Sequence, residues 1–164
     1  MLNEKMEEAL NSQLNFEIYS AYIYFSMSAY FLSIKLPGFA QWMRAQTQEE
    51  MVHVMKFYDY INEREGRIKL QQIDRPATEW ESPLKAFENA LNHEKIVTGR
   101  INDMVTLAIE VKDQVTNNFL QWYVKEQVEE EESVGGVVEK IKEIGDETSG
   151  LQKIDQELST RALK

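Results

Sequence analysis

The chain has 164 residues, 43% of them hydrophobic, so it is long enough to bury the core of one domain and too apolar to be disordered. Its net charge of −10 disfavours nucleic-acid binding and favours the attraction of cations. The sequence contains no cysteine, which excludes disulfide scaffolds, cysteine-ligated zinc, iron–sulfur clusters and cysteine nucleophiles.

No export or membrane segment is expected. The first ten residues are acidic and contain no apolar signal core. The longest uncharged run, from Ile18 to Ile34, is rich in tyrosine and serine and too short for a membrane span. Together with the lack of cysteine, these features predict a cytoplasmic protein.

Hydrophobic periodicity predicts five helices in a single domain spanning residues 1–164. The helix boundaries are indicated by Leu36-Pro37-Gly38, by Gly66 at a helix C-terminus, and by Ser82 as an N-cap before Pro83. The two adjacent glycines Gly135-Gly136 indicate close packing, a bend or simple toleration. The predicted helices run over residues 3–33, 38–65, 83–111, 114–144 and 149–161.

The lengths of the connections predict the topology. Helices of about 28 residues are about 42 Å long, and the first and third connections are so short that each helix pair must be antiparallel. The middle connection, Arg67 to Glu81, reaches roughly 50 Å when extended, which is enough to cross the whole bundle. The prediction is an all-α, up-down-down-up four-helix bundle (residues 3–144) with a long crossover.

The short C-terminal helix, residues 149–161, has one apolar face. This stripe needs burial, and we expect it to pack at contacts between subunits. The stripe consists of Leu151, Ile154, Leu158 and Ala162.

Each of the four long helices carries an apolar seam at three- and four-residue steps, and each seam is interrupted near its middle by residues that can bind metal. A bare carboxylate in a core costs several kcal/mol, roughly, so four such interruptions need a shared cause. A metal site in the bundle centre supplies one. The interrupting residues are Glu17, then Glu50 and His53, then Glu94, and finally Gln127 and Glu130.

The interrupting residues repeat along the chain. Adding 77 to the numbers of Glu17, Glu49, Glu50 and His53 gives Glu94, Glu126, Gln127 and Glu130. The two helix pairs therefore look like copies related by an approximate two-fold axis, which would place two metal ions side by side. Chance in a chain with 28 acidic residues is the alternative.

The chain resembles the non-haem prokaryotic ferritins over essentially its full length. Glu50-x-x-His53 occurs often by chance, but the combination of several motifs is specific. The resemblance implies a hollow shell of 24 subunits that binds Fe(II), oxidises it with oxygen or peroxide, and stores ferric mineral. The matching segments are residues 10–22, Glu49-Glu50-x-x-His53, His93-Glu94, and Asn118-Phe119-Leu120-Gln121-Trp122-Tyr123-Val124-x-Glu126-Gln127-x-Glu129-Glu130.

The resemblance also implies a role for each site residue. One iron would be held by Glu17, Glu50 and His53, and the other by Glu50, Glu94 and Glu130, with Gln127 beside it. A third iron site would use Glu49, Glu126 and Glu129 and share Glu130. Tyr24 and Trp122 match aromatic residues that could supply electrons, although ordinary core packing explains them equally well.

Charge counting bears on the iron pair. The carboxylates of the centre carry four negative charges, which match two Fe(II) ions. Gln127 stands where a duplicated Glu50 would add a further charge, so we expect the oxidised centre to retain Fe(III) less tightly and to release it towards the third site. The ligand types alone also suit Mn(II) or Zn(II).

Several related proteins remain as alternatives. A bacterioferritin would need a second Glu-x-x-His motif and a haem-binding methionine, whereas this chain has Gln127 with Glu130 and has Val52 between Met51 and Met55; no haem is therefore expected. A rubrerythrin-like protein would need cysteines, and a DNA-binding miniferritin would normally show a basic tail. A di-iron oxidase or oxygenase without storage would not form a shell. A helical scaffold that binds no metal would leave the acidic residues at the centre of the bundle unexplained.

Overall fold

The computed structural model describes residues 2–145 and 147–163 as a helical protein, and none of these residues lies in a β-strand. The all-α prediction is confirmed, and the ends of the four long helices lie within two residues of their predicted positions. The helices are α1 (Glu4–Ser33), α2 (Pro37–Glu63), α3 (Pro83–Glu110), α4 (Gln114–Ile144) and α5 (Thr148–Leu158).

Three of the long helices end in a residue with left-handed backbone, and none of the three is glycine. Lys35, Glu65 and Lys112 have φ values of 62°, 59° and 57°, and all three are exposed. The prediction for Gly66 was wrong by one residue, because Glu65 takes the left-handed position. The Gly66 N–H then donates to the Ile61 carbonyl at 2.8 Å, as in a Schellman turn.

Contacts between helices confirm the up-down-down-up topology. Arg100 on α3 bonds Ser12 on α1, and His93, earlier on α3, bonds Ser20, later on α1, so α1 and α3 are antiparallel. Since the short connection also makes α1 and α2 antiparallel, α2 and α3 run parallel. Residues 64–82 make the crossover between them.

Two buried asparagines hold the crossover against α1. Asn11 and Asn15 each donate to and accept from the backbone of residues 67–71, with distances of 2.7–2.9 Å. Further along, the Tyr30 hydroxyl donates to the Trp80 carbonyl at 3.1 Å. The crossover therefore runs along α1 from Asn11 to Tyr30 and has some of its backbone polar groups paired with side chains of α1, although it has no regular secondary structure.

Helix α5 packs on its own subunit, so its apolar stripe needs no neighbouring subunit for burial, and a contact between α5 and another subunit stays a prediction. Ile154 and Leu158 are buried in the same core as α2 and α4. The approach is close at Gly38, where an added Cβ would lie 1.6 Å from the Asp155 carbonyl oxygen. The Asp155 carboxylate accepts a hydrogen bond from the Phe39 N–H at 2.9 Å, which satisfies a free amide at the start of α2.

The end of α5 also differs from the prediction. The helix stops at Leu158, and the next residues form tight turns in which the N–H of Arg161 donates to the carbonyl of Leu158. Ala162 is exposed and does not extend the apolar face. The guanidinium of Arg161 lies over the ring of Trp42, 4.2 Å from the ring centroid.

Two apolar clusters fill the two ends of the bundle. Between them lies the polar middle layer formed by the interrupted seams.

α4 continues through its glycine pair: an added Cβ on Gly135 would meet only Leu91 at 3.9 Å, and one on Gly136 would meet no described atom within 4 Å. None of the described helices is both long enough and apolar enough to cross a membrane.

Candidate metal centre

The middle layer gathers the predicted ligands from all four long helices. α1 supplies one carboxylate, α2 a carboxylate and an imidazole one turn apart, α3 one carboxylate, and α4 an amide and a carboxylate. All of them are buried, with exposed fractions of 4% or less. The residues are Glu17, Glu50, His53, Glu94, Gln127 and Glu130.

The described residues form three groups whose ligand atoms lie within 4.8 Å of one another. Glu50 belongs to two of the groups and therefore stands between them. The groups are Glu17 with Glu50 and His53, Glu50 with Glu94 and Glu130, and His53 with Glu126 and Glu130. The first two have the same members as the two iron sites that the resemblance implies.

Two buried atoms in this layer have no hydrogen-bond partner among the described residues: Glu17 Oε2 and His53 Nδ1. The other Glu17 oxygen accepts from Gln13 Nε2 at 2.8 Å, and His53 Nδ1 lies 3.3 Å from Glu50 Oε2 without hydrogen-bonding geometry. Leaving such atoms unpaired in a core is costly unless another partner binds them. A cation between Glu17, Glu50 and His53 would satisfy both atoms, so the donor set fits a metal ion.

The crowding of carboxylates changes their protonation. Burial and the nearby Glu50 raise the pKa of Glu17 to about 8, and burial with Glu50 and Glu94 raises the pKa of Glu130 to about 9. Burial also raises the pKa of Glu50 and of Glu94. Without a cation, the layer therefore keeps protons at neutral pH that a bound metal would displace.

The pKa of His53 is also raised, but for an imidazole a raised pKa favours the charged form. Burial by itself would lower the pKa of its imidazole, but the neighbouring carboxylates of Glu126 and Glu50 outweigh burial and raise the pKa to about 11. The Tyr123 hydroxyl donates to the backbone carbonyl of His53 at 2.7 Å and fixes this turn of α2. Tyr123 stands on the seam of α4 as an apparent core residue, so this contact could not be predicted from the sequence pattern.

Tyr24 and Gln127 both hold Glu94. The Tyr24 hydroxyl donates to Glu94 Oε1, and Gln127 Nε2 donates to Glu94 Oε2 at 3.1 Å. Burial and the charge of Glu94 raise the pKa of Tyr24 well above its usual value, so its hydroxyl stays protonated. Trp122 stands edge-on to His53, with ring centroids 5.5 Å apart, and is exposed. Whether Tyr24 or Trp122 passes electrons stays a prediction.

A residue without a predicted role joins two of the ligand carboxylates. Gln46, which is fully buried, donates from Nε2 to Glu130 Oε2 at 2.6 Å and to Glu50 Oε1 at 3.2 Å. Its position on the α2 seam, one turn before Glu50, was the only sign in the sequence. An amide that donates to two carboxyl groups acts as a clamp between α2 and α4.

The predicted third site is brought together only in part. His53 Nε2 lies 3.6 Å from Glu126 Oε1 and 3.8 Å from Glu130 Oε1. Glu129 is exposed and belongs to none of the three groups, and Glu49 accepts from Arg161 Nη2 at 2.5 Å. The group that forms therefore uses His53 where the sequence predicted Glu49 and Glu129.

These features define a class of protein: a four-helix bundle with buried, adjoining carboxylate–histidine groups able to hold metal ions. A sequence model of the ferritin-like domain matches residues 7–144, and the chain belongs to the ferritin family.

Relatives match over nearly the whole chain. The bacterial non-heme ferritin of Bacteroides fragilis is 42% identical over 161 residues, covering 98% of this chain and all of the relative. That of Campylobacter jejuni is 39% identical, covering 99% of this chain and 98% of the relative. A closed form of Archaeoglobus fulgidus ferritin, engineered by site-directed mutagenesis, superimposes with a TM-score of 0.99 at 53% identity over all of both chains. An open-pore ferritin from the same archaeon gives 0.98 at 54% identity over 99% of each.

Proposed function

We propose that this protein oxidises Fe(II) at the buried centre and stores the product as ferric mineral inside a hollow homo-oligomer. The observation that carries the proposal is the sharing of Glu50 between two adjoining ligand groups. Four carboxylates and one imidazole would then hold two cations at once. Membership in the ferritin family and the names of its relatives support iron as the metal.

In this proposal Glu17, Glu50 and His53 hold one Fe(II), and Glu50, Glu94 and Glu130 hold the other. Each ion gives up one electron, so a pair reduces one O2 to hydrogen peroxide with the uptake of two protons. With peroxide as oxidant, the same two electrons and two protons yield two molecules of water. The buried layer fixes both ions on adjacent ligands, which turns a reaction between several free species into one within a single site.

The residues around the iron pair have supporting roles. Tyr24 and Gln127 orient Glu94 through their hydrogen bonds. Gln127 is neutral, so the four carboxylates give the centre four negative charges. These balance the positive charge of two Fe(II) ions better than that of two Fe(III) ions. Glu126, which shares Glu130, offers the oxidised iron its next position on the way to the mineral, whereas Glu49 and Glu129 lie outside the group that the structure brings together.

The outer face of α1 and α2 supports self-assembly. It exposes a set of large apolar side chains, and a row of this kind on a protein with no membrane helix among its described residues fits contact with a second copy. We propose a shell of 24 subunits in the cytoplasm, with neither nucleic acid nor haem as a ligand. The exposed residues are Tyr22, Phe25, Met51, Met55 and Tyr58.

Size-exclusion chromatography with light scattering tests this function on protein loaded with Fe(II) in air. We expect a single particle of twenty-four subunit masses that carries iron far in excess of two ions per subunit. The same protein loaded without oxygen or peroxide is the control and should retain only the ions bound at its sites. A monodisperse monomer or dimer without mineral at neutral pH would overturn the proposal.

A further inference from the structure

Two glutamines stand one turn before ligand carboxylates and bond to them. Gln13 Nε2 donates to Glu17 Oε1 at 2.8 Å, and Gln46 Nε2 donates to Glu50 Oε1 and Glu130 Oε2. Both glutamines are buried, and they are separated by 33 residues, the same spacing that separates Glu17 from Glu50. The first helix pair therefore repeats its supporting amide together with its carboxylate.

The carbonyl oxygen of each amide accepts from an arginine that is distant in sequence. Arg100 Nε donates to Gln13 Oε1 at 2.8 Å, and Arg161 Nη2 donates to Gln46 Oε1 at 2.8 Å. Each guanidinium also lies 4.2 Å from the centroid of an aromatic ring, that of Phe16 or of Trp42. Two Arg–Gln–Glu chains of the same construction thus lead from the surface to the centre.

A guanidinium can only donate hydrogen bonds, so its position decides which way the amide points. With Arg161 at one side of Gln46, the carbonyl oxygen must face the arginine and the NH2 group must face Glu50 and Glu130. Without that donor the amide can rotate by half a turn and bring a partial negative charge against two carboxylates. The arginine thereby selects the amide orientation that supports ionised ligands.

We propose that Arg161 and Arg100 are positioning residues of the metal centre, acting through Gln46 and Gln13 respectively. Arg161 lies just after α5, so the ligands shared between α2 and α4 depend on the docking of the C-terminal segment. Arg100 lies on α3 and supports Glu17 of α1. This inference rests on the proposed function, because it assigns the arginines to the same centre.

Titration of the metal-free oligomer with Co(II), followed by its visible absorption, tests the proposal without any iron turnover. We expect two Co(II) per subunit in the wild type. Arg161→Met keeps an apolar stem on Trp42 but removes the hydrogen-bond donor to Gln46. We expect it to lower the affinity for one of the two Co(II) ions about 10-fold, as the loss of a residue that supports a metal ligand does. It should also change that ion's absorption band. Arg161→Lys, which can still donate to Gln46, should restore the affinity to within a few-fold.

A double variant tests whether Arg161 acts through Gln46. If it does, Arg161→Met combined with Gln46→Met binds Co(II) no more weakly than Gln46→Met does, and the effects of the two single variants do not add. Additive losses would overturn the proposed route.

Lys140→Met is the matched control for loosened packing, since Lys140 pairs with Glu157 of α5 and is not a hydrogen-bond partner of Gln46. It should bind Co(II) as the wild type does. An equal loss in Lys140→Met, or wild-type affinity in Arg161→Met, would overturn the positioning role while leaving the centre itself intact. A wild type that binds no Co(II) and no Fe(II) would instead overturn the proposed centre.

Discussion

The two helix pairs of this bundle have one backbone plan and two different chemistries. Glu17 in α1 corresponds to Glu94 in α3, but Glu50 and His53 of α2 correspond to Gln127 and Glu130 of α4. The first pair therefore contributes the only imidazole and the shared carboxylate of the two principal groups. At the shared position, the second pair contributes an amide that donates to Glu94.

The supports of the ligands differ in the same way. In the first pair each carboxylate is held by a glutamine from its own helix, and an arginine orients that glutamine. In the second pair Glu94 is held by Tyr24 and Gln127, and Glu130 by Gln46, so two of its three supports belong to the first pair. A symmetric scaffold thus produces an asymmetric centre, because the side chains at corresponding positions differ in charge and in donor capacity.

The largest expected effect follows from removing the shared carboxylate. Glu50→Ala takes a ligand from both groups and should slow the fast phase of Fe(II) oxidation by about 100-fold or more, since it misplaces both ions. Stopped-flow absorbance after addition of two Fe(II) per subunit measures it. Gln127→Ala is the control at the corresponding position, and because an amide is not an essential ligand it should retain a fast phase. A normal fast phase in Glu50→Ala would place the reaction elsewhere.

Replacing a glycine by alanine should have opposite effects on protein stability in the two helix pairs. Gly38→Ala forces a Cβ against the Asp155 carbonyl and should destabilise the docked α5 by about 1–3 kcal/mol, which lowers Tm by several degrees. Gly136→Ala meets no described atom and should stabilise α4 by about 0.5–1 kcal/mol. Thermal unfolding of the metal-free protein followed by circular dichroism gives both values. Equal and small shifts would show that α5 docks loosely.

Metal binding should release protons from both pairs. With the pKa of Glu17 raised to about 8 and that of Glu130 to about 9, both carboxyls are protonated at pH 7 in the metal-free protein. Because a metal ion needs the ionised form, affinity should rise between pH 6 and pH 8 as the competition from protons weakens. Calorimetry with Zn(II) in two buffers of different ionisation enthalpy counts the protons. Binding at pH 7 with no net proton release would contradict these shifts.

The smallest expected effect follows from giving α4 the carboxylate that α2 has at the corresponding position, Glu50. Gln127→Glu adds the missing carboxylate and should bind Fe(III) more tightly, so onward transfer slows by a few-fold while the first oxidation changes little. Repeated additions of two Fe(II) per subunit, with recovery of the fast phase between them, measure the difference. Recovery as quick as in the wild type would leave Gln127 with its hydrogen bond to Glu94 as its sole role.

The sequence by itself determined the helices and the ligand residues of the two principal metal groups. Both are encoded locally, since a three- and four-residue period puts Glu17, or Glu50 with His53, on the buried face of one helix wherever its partners stand. The length of the segment from Arg67 to Glu81 was enough to require the crossover. The family motifs then indicated how the four faces meet.

Only the tertiary structure decided which residues support those ligands. Arg100 and Gln13 are 87 positions apart, and Arg161 and Gln46 are 115 apart, so no local period relates them. The same holds for α5, whose stripe needed a partner that the sequence could not choose. It is Gly38 that opens a place for α5 on its own subunit, and the ion pair between Arg161 and Glu49 follows from that docking. Contacts between distant segments depend on the shape of the whole bundle, and a pattern within one helix carries no information about them.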